Sequence, residues 1–320
     1  MVPRLAVRAE APQKLAGYAV TLRGSLPNPD GLKAQPMRLD NTTAECAMLE
    51  ERVFSVKKRF LGMYKKAHAG HIGSSLSCAE ILVLLKFAWM NYDDTFILSK
   101  GHAAAALYSL LAEANLLSPS QIDSYYEEGT RLSALPPFNV IKEIPFATGS
   151  LGHGLPVCAG MALGAILKRH ERRFFCVTSD GELDEGSTWE AALFIAHHRL
   201  TNLVWLIDRN NIQGIGRTEE VMALEPLDAK LRAFGFYVVT ANGHDWTSLL
   251  AARDECTHAL GNADTPVAII ANTIKGNGIS YMHDTVDSHY LPMDDAQYEL
   301  ALNELTRAHE ATVKAHPNAD

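Results

Sequence analysis

The chain has 320 residues, of which 47% are hydrophobic and 21% are charged, and its formal net charge is -8. This hydrophobic share is sufficient for a sizeable buried core, whereas the negative charge argues against a nucleic-acid-binding protein, which usually carries a basic face. A membrane protein is not predicted either, because no run of about 18 apolar residues occurs and the N-terminal residues lack the apolar stretch of a signal peptide.

The five cysteines are scattered along the chain, odd in number and without a CxxC pair. This pattern predicts free thiols rather than a disulfide framework, and it is typical of a protein in a reducing compartment. We therefore expect a cytoplasmic protein.

Three regions differ in pattern. Residues 1–40 hold prolines and glycines that interrupt any periodicity, so we predict an irregular N-terminal arm, with an arm that wraps around a partner chain as the alternative. Residues 41–310 alternate regularly between helical and strand-like segments and are predicted to form one domain. Residues 311–320 are predicted to be a short C-terminal tail.

Within the domain, apolar residues recur at three- and four-residue steps in the helical segments and in short apolar runs in the strands. We predict helices over residues 43–69, 78–90, 101–115, from 119 onward, 155–170, 188–198, 226–234, 246–260 and 294–310, and strands over 96–98, 174–178, 203–207, 236–240 and 267–271. Such alternation is typical of an α/β fold with a doubly wound, mostly parallel sheet covered by helices on both faces. Because ligands of these folds bind beyond the carboxyl ends of the strands, the segments after Thr178, Ile207 and Ala271 are the candidate functional segments.

Two of these segments contain ligands for a hard metal ion. Asp180 follows one predicted strand and Asn210 follows the next, so adjacent parallel strands would bring both to the same edge of the sheet. A carboxylate oxygen, an amide oxygen and a nearby main-chain carbonyl form half of an octahedral Mg²⁺ shell, which diphosphate oxygens and a water complete. Taken singly, each segment is equally typical of an ordinary turn; the pair at this spacing favours a metal site for Mg²⁺, or for Ca²⁺ or Mn²⁺.

Local features support a ligand site in the first segment. Gly181 allows the backbone to turn and approach a phosphate closely. The Ser-Thr-Trp-Glu sequence at residues 187–190 has the capping-box pattern, which predicts that a helix begins there.

The sequence Asp180-Gly181 followed by Asn210 resembles the thiamine diphosphate motif, and the surrounding segments resemble the transketolase family. The matching segments are Ala69–Ser74, Leu98–Ala103, Thr148–Gly154, Lys275–Gly278 and Asp287–His289. They run in unbroken order, and the likeness extends from about Thr43 to Leu302. An ordered set of motifs is far more specific than any one of them.

The resemblance implies a role for each matching residue. Asp180, Asn210 and the main-chain carbonyl of Ile212 would hold the metal ion. Around the cofactor would lie Ser74, Lys100, His102, Gly149, Leu151, Gly181, Asn210, Lys275 and His289. The imidazoles of His71, His102 and His289 would face the donor substrate as catalytic groups, since imidazoles can donate, accept and transfer protons. Glu185 matches a position at a contact between subunits.

Full-length transketolases also carry a second domain that binds the aminopyrimidine ring of the cofactor. The resemblance therefore implies a separate partner chain, a C-terminal pyrimidine-binding subunit, in an α₂β₂ assembly with the site at the interface. The assembly would transfer a two-carbon ketol unit, or a related acyl unit, from a ketose or ketoacid donor to an aldehyde acceptor through covalent catalysis by the cofactor.

Two positions depart from the family pattern. Leu135 stands where the family usually has a histidine that touches a hydroxyl of the donor, and Ser179 stands where glycine commonly precedes the aspartate. An apolar group at position 135 would weaken recognition of a polyhydroxylated donor. We therefore expect a specialised donor.

Several alternatives remain at this stage. The chain could be a subunit of another thiamine enzyme, such as a 2-oxoacid dehydrogenase or a deoxyxylulose-phosphate synthase, or a non-catalytic scaffold subunit. The segments that carry the histidines favour transketolase over another thiamine enzyme. The presence of Asp180, Asn210 and His102 argues against a non-catalytic scaffold subunit. A nicotinamide-dependent enzyme is disfavoured because Gly276-Asn277-Gly278 is not a full glycine fingerprint.

Overall fold

The computed structural model describes residues 42–138, 141–262 and 264–315. Within these ranges five strands form one sheet in the order β1-β2-β3-β5-β4, and every pairing is parallel. The strands are β1 (Thr95–Leu98), β2 (Phe174–Ser179), β3 (Leu203–Arg209), β4 (Tyr237–Asn242) and β5 (Val267–Asn272). The predicted arm over residues 1–40 and the last residues of the predicted tail lie outside the described ranges.

Helices cover both faces of the sheet. They are α1 (Thr42–Ala67), α2 (Ile72–Leu84), α3 (Ala104–Glu113), α4 (Pro119–Asp123), α5 (Gly154–Leu167), α6 (Gly186–His197), α7 (Thr218–Val221), α8 (Leu227–Phe234), α9 (Trp246–Asn262) and α10 (Asp295–Ala315). One core cluster joins α1, α2, α3, α9 and α10 to one face, and a second joins α5, α6 and α8 to the other. Because both faces are covered, β2 and β3 are buried along their whole length. The predicted doubly wound α/β fold is confirmed.

The start of α2 differs from the prediction. The helix begins at Ile72 rather than at residue 78 and continues as one π-helical turn over Leu85–Trp89. His71 adopts the left-handed conformation immediately before it, with φ 69°. The small residues of this turn, such as Gly73, give no apolar periodicity. Packing nevertheless buries the turn, since a Cβ at position 73 would lie 2.3 Å from Ser288 Oγ. Tertiary packing therefore sets this boundary.

The capping box lies in a different place from the predicted one. Helix α6 begins at Gly186 and its N-cap residue makes no side-chain capping bond. The reciprocal bonds instead join Ser179 and Glu182 around a 3₁₀ turn over Asp180–Asp184. Ser187 donates to the carbonyl of Gly152 at 2.7 Å. Both segments carry the same local pattern, and a tertiary partner decides which one becomes a cap.

Two further boundaries differ. Helix α10 runs to Ala315, beyond the predicted end at residue 310, and the short helix α7 was not predicted. Among the residues that the structure describes, one helical stretch, Ile72–Trp89, is long and apolar enough to cross a membrane. Because 83% of that stretch is buried inside the protein, it is the core helix of the fold.

Candidate functional site

The loops that follow β2 and β3 meet at the carboxyl edge of the sheet. The strand register pairs Ser179 with Asp208. The carboxylate of Asp180 consequently reaches the second loop, where Oδ2 accepts a hydrogen bond from the N–H of Asn211 at 2.7 Å. In the same loop the buried Asn210 accepts one through Oδ1 from the N–H of Ile212 at 3.2 Å. The structure thus brings together the three residues that the sequence predicts as metal ligands.

The Asp180 carboxylate is suited to a cation. It is only 1% exposed, and burial, followed by the negative charge of Asp208, raises its pKa above the ordinary value. The guanidinium of Arg209, 3.3 Å away, offsets part of this effect. A divalent ion at Asp180 would remove the remaining electrostatic cost of a buried carboxylate.

Side chains alone do not form a metal site here. Over the ranges that the structure describes, no group of three or more His, Cys, Asp or Glu side chains could hold a metal ion. An ion at Asp180 would therefore also need the amide oxygen of Asn210, the carbonyl oxygen of Ile212 and oxygens from a bound ligand. Such an all-oxygen set of ligands is typical of Mg²⁺ bound to a diphosphate.

Lys275 places a positive charge at one of these oxygens. Its ammonium group donates to the carbonyl of Ile212 at 2.9 Å and lies 2.6 Å from Nδ1 of His289. Burial, and then the positive charge of Lys100, lower the pKa of Lys275 to about 7. The carbonyl oxygen of Ile212 thus faces a side chain that can carry a positive charge. An oxygen that binds a metal ion must likewise face a cation.

Three imidazoles form a cluster above this edge. The ring centroids of His71 and His289 are 5.0 Å apart, and the centroid of His102 lies 5.6 Å from each of the other two. Burial first, and neighbouring positive charges second, lower the pKa of all three, to about 3 for His289. Each imidazole is therefore neutral at pH 7 and can either donate or accept a hydrogen bond.

Lys100, which the sequence predicts to contact the cofactor, lies beneath the site instead. It is fully buried, and its ammonium group forms an ion pair with Asp208 and donates to Ser74 O at 2.9 Å and to Ser77 Oγ at 3.3 Å. These acceptors use the three N–H donors of the side chain. Burial alone would lower the pKa of Lys100, but the Asp208 carboxylate raises it above the ordinary value. Lys100 thus supports Asp208 and Ser74 in this structure, and its contact with the cofactor stays a prediction.

Ser74, unlike Lys100, has a hydrogen-bonding group without a partner among the described residues. Its hydroxyl is buried at the start of α2 and finds no hydrogen-bond partner among the described residues. A buried hydroxyl without a partner is energetically costly. A phosphate oxygen is an acceptor of the kind that this group lacks, so Ser74 fits its predicted place at the diphosphate.

The loop that carries Gly149 and Leu151 packs against the His102 segment. A Cβ at Gly101 would lie 2.6 Å from the carbonyl carbon of Thr148 and 2.7 Å from the nitrogen of Gly149, so only glycine permits this approach. Leu135 lies against the same loop, because a Cβ at position 149 would be 2.6 Å from Leu135 Cδ1. The departure from the family pattern is thus located beside the predicted pyrimidine loop.

The last two predicted site residues are Gly181 and Glu185. The N–H of Gly181 donates to Oδ1 of Asp180 at 2.9 Å, which shapes the turn after β2. Glu185 is exposed at the N-cap of α6, and its contact with another subunit stays a prediction.

The sequence interpretation missed several buried charged residues. Asp208 accepts bonds from Lys100, Ser77 and Thr273, and Arg209 bridges Asp180 to Glu219 and Glu225. Both lie beside Asn210 in the sequence. The signal available was their position at the end of a fully apolar strand, where a charged residue needs a partner.

Comparisons with known proteins identify similar families and proteins. The family model described as "Transketolase, thiamine diphosphate binding domain" matches residues 51–311. An apulose-4-phosphate transketolase subunit of Actinobacillus succinogenes is 35% identical, with 80% of this chain and 95% of that protein covered. The 6-deoxy-6-sulfo-D-fructose transketolase subunit SqwG of Clostridium sp. is 34% identical, with 81% and 96% covered.

Longer proteins match over part of their length. The transketolase of Homo sapiens is 34% identical over 253 residues, which cover 75% of this chain and 39% of that protein. The crystal structure of the transketolase of Campylobacter jejuni superposes with a TM-score of 0.73 at 26% identity and covers 81% of this chain. This chain spans 43% of that solved structure.

We predict that Lys100→Met lowers the free energy of unfolding by about 3–5 kcal/mol, because it leaves Asp208 as an unpaired buried charge. The double substitution Lys100→Met, Asp208→Asn should recover part of this loss. Urea denaturation of both variants, with Lys168→Met at an exposed position as the control, measures the effect. An Lys100→Met variant as stable as the control would show that the pair contributes nothing.

We predict that the folded protein becomes less stable at acidic pH and that part of this loss depends on His289. Its pKa is about 3 in the folded protein against an ordinary value of 6.5, so between these values the unfolded chain binds a proton that the folded site does not. The free energy of unfolding therefore falls as the pH drops from 6.5 towards 3. His289→Asn should make this fall shallower, and His170→Asn, at an exposed position, should not. Superimposable pH profiles for His289→Asn and the unsubstituted chain would contradict the assignment.

Proposed function

The chain belongs to the transketolase family, whose thiamine diphosphate binding domain it contains, and from this premise we propose that it anchors the cofactor through a divalent metal ion as one subunit of a two-subunit enzyme. The observation that carries the proposal is the meeting of Asp180, Asn210 and Ile212 at one edge of the sheet. Their carboxylate, amide and carbonyl oxygens are ligands suited to Mg²⁺, Ca²⁺ or Mn²⁺.

The surroundings of these ligands fit a diphosphate. The unpartnered hydroxyl of Ser74 supplies a hydrogen-bond donor, and Lys275 supplies an amine beside the carbonyl of Ile212 that a bound diphosphate would keep protonated. Gly181 keeps the turn after Asp180 free of a side chain. On the other side, the main chain of Gly149 and Leu151 would meet the aminopyrimidine ring.

When bound, thiamine diphosphate would supply the carbon nucleophile for transfer of a two-carbon unit from a ketose to an aldehyde. The chain's own contribution is made by His71, His102 and His289. As neutral imidazoles, they can accept the proton of a donor hydroxyl when the ketose is cleaved and give a proton to the carbonyl oxygen of the aldehyde acceptor.

The proposed partner is a pyrimidine-binding chain in an α₂β₂ assembly. Two relatives that this chain covers almost completely are named as subunits, and the chain spans less than half of the solved transketolase. The ring centroid of Tyr290 lies 4.6 Å from that of His289, and Tyr290 and its neighbour Leu291 are 55% and 57% exposed. Apolar groups at the mouth of a site favour coverage by another protein surface, and Glu185 is our candidate for a second contact. All five cysteines are free thiols, which favours the cytoplasm.

The donor is proposed to be a specialised one. Leu135 is 42% exposed beside Gly149, where its side chain offers no hydrogen bond to a sugar hydroxyl. The two subunit relatives carry the names of different sugars, apulose 4-phosphate and 6-deoxy-6-sulfo-D-fructose. Similarity to these proteins therefore does not identify the donor. We take the residue at position 135 as the feature that distinguishes one donor from another.

We predict that Asp180→Ala abolishes metal-dependent binding of thiamine diphosphate in the assembled enzyme, because it removes the only charged ligand in the proposed set. Isothermal titration calorimetry with thiamine diphosphate, with and without Mg²⁺, measures the binding. The control is Asp228→Ala, which removes an exposed carboxylate from α8. Unchanged, Mg²⁺-dependent binding by the Asp180→Ala enzyme would contradict the proposal.

We predict slow turnover of xylulose 5-phosphate with ribose 5-phosphate by the unsubstituted enzyme. Leu135→His should raise kcat/KM for this donor about tenfold, which corresponds to one added hydrogen bond of about 1.4 kcal/mol. Leu300→His, on the exposed side of α10, is the control. Efficient turnover by the unsubstituted enzyme would overturn the specialised-donor proposal and leave the cofactor proposal standing.

A further inference from the structure

Glu182 is a carboxylate buried behind the site. It is 0% exposed, and it lies in the 3₁₀ turn that follows Asp180. Oε1 accepts hydrogen bonds from Ser99 Oγ at 2.5 Å and from the N–H of Gly152 at 3.1 Å. Oε2 accepts one from the N–H of Ser179 at 3.0 Å. The carboxylate is therefore held by three donors.

Two of the donors come from other loops, and the third caps the turn of Glu182 itself. Ser99 leads into the segment with His102 after β1, Gly152 belongs to the loop with Gly149 and Leu151, and Ser179 ends β2 immediately before Asp180. Ser99 and Gly152 lie 83 and 30 positions from Glu182 in the sequence, so local chain geometry cannot align them. One carboxylate thus joins the three segments that would contact the metal, the pyrimidine ring and the donor.

The same region also shows close packing between these loops. The loop of Gly149 lies directly on Gly101, and a Cβ at Gly154 would be 2.3 Å from Ser99 Oγ. The main-chain carbonyl of Glu182 accepts a bond from Thr188 Oγ1 at 2.7 Å, which ties the turn to α6. The side chain is consequently fixed from behind while it holds the loops in front.

We propose that Glu182 is a positioning residue that aligns the pyrimidine loop and the His102 loop on the Asp180 turn. Its three accepted hydrogen bonds set the distance between these segments before any ligand binds. The consequence for thiamine diphosphate rests on the proposed function above, whereas the alignment itself is a property of the free chain.

The bonding pattern specifies a carboxylate and excludes its amide. Gln at position 182 would replace one oxygen by an NH₂ group. If the NH₂ took the place of Oε1 it would face the N–H of Gly152, and if it took the place of Oε2 it would face the N–H of Ser179. Either orientation sets a donor against a main-chain donor, so either the Gly152 loop separates from the turn, or the cap at Ser179 opens and the side chain that holds both loops shifts.

The test is hydrogen exchange measured by mass spectrometry on the full free chain. Glu182→Gln should raise exchange about tenfold in peptides that cover residues 99–103 and 148–154, because these are the segments that it holds. Peptides from β3 and β5 should exchange as in the unsubstituted chain. Glu171→Gln, the same change at an exposed position before β2, should alter nothing.

A second variant keeps the test decisive if Glu182→Gln folds poorly. Ser99→Ala removes one donor and leaves the carboxylate with Gly152 and Ser179. It should raise exchange in residues 99–103 alone, and it should add little to the effect of Glu182→Gln in that segment. Exchange that rises over the whole chain, or remains unchanged in both loops, would overturn the proposed alignment.

Binding of thiamine diphosphate to the assembled enzyme separates this inference from the proposed function. Glu182→Gln should weaken binding about tenfold, with the thermal stability of the β3–β5 core unchanged. Loosened loops with unchanged cofactor affinity would overturn the positioning role and leave the cofactor proposal intact. No binding by the unsubstituted enzyme would instead refute the proposed function, and the exchange result would still decide the alignment.

Discussion

The site depends on the parallel pairing of β2 with β3. Their register sets Ser179 opposite Asp208, so the two loops leave the sheet side by side and the Asp180 carboxylate reaches the N–H of Asn211. A shift of one residue would turn every side chain of a strand to the opposite face, and both strands are completely buried between helices. The core packing that fixes the register therefore also fixes the distance between the proposed metal ligands.

Charge balance in a region without solvent is the second constraint. Asp180 and Asp208 lie beside Lys100, Arg209 and Lys275, and most of these groups are almost completely buried. Lys100 neutralises Asp208 as a hydrogen-bonded pair, whereas Asp180 retains a raised pKa and Lys275 a lowered one. These two groups are thus the ones whose charge is least compensated. A metal ion at Asp180 and a diphosphate near Lys275 would supply the missing partners.

The sequence was sufficient for the strand and helix alternation and for the segments that meet at the site, because both are carried by local pattern and by ordered motifs. It was not sufficient for features that depend on distant packing. The start of α2 at Ile72 rests on contacts with Ser288, and the buried ion pair of Lys100 with Asp208 joins residues 108 positions apart. Glu182 lies two residues after Asp180, but its partners Ser99 and Gly152 come from loops that only the folded sheet brings together.

The most direct test of the account is a crystal structure of the enzyme with thiamine diphosphate and Mn²⁺, with anomalous scattering measured at the manganese edge. The account predicts one anomalous peak within bonding distance of the Asp180 carboxylate, Asn210 Oδ1 and the Ile212 carbonyl, with Lys275 displaced from that carbonyl towards the diphosphate. A peak that lies away from these three oxygens, with the cofactor bound, would contradict it.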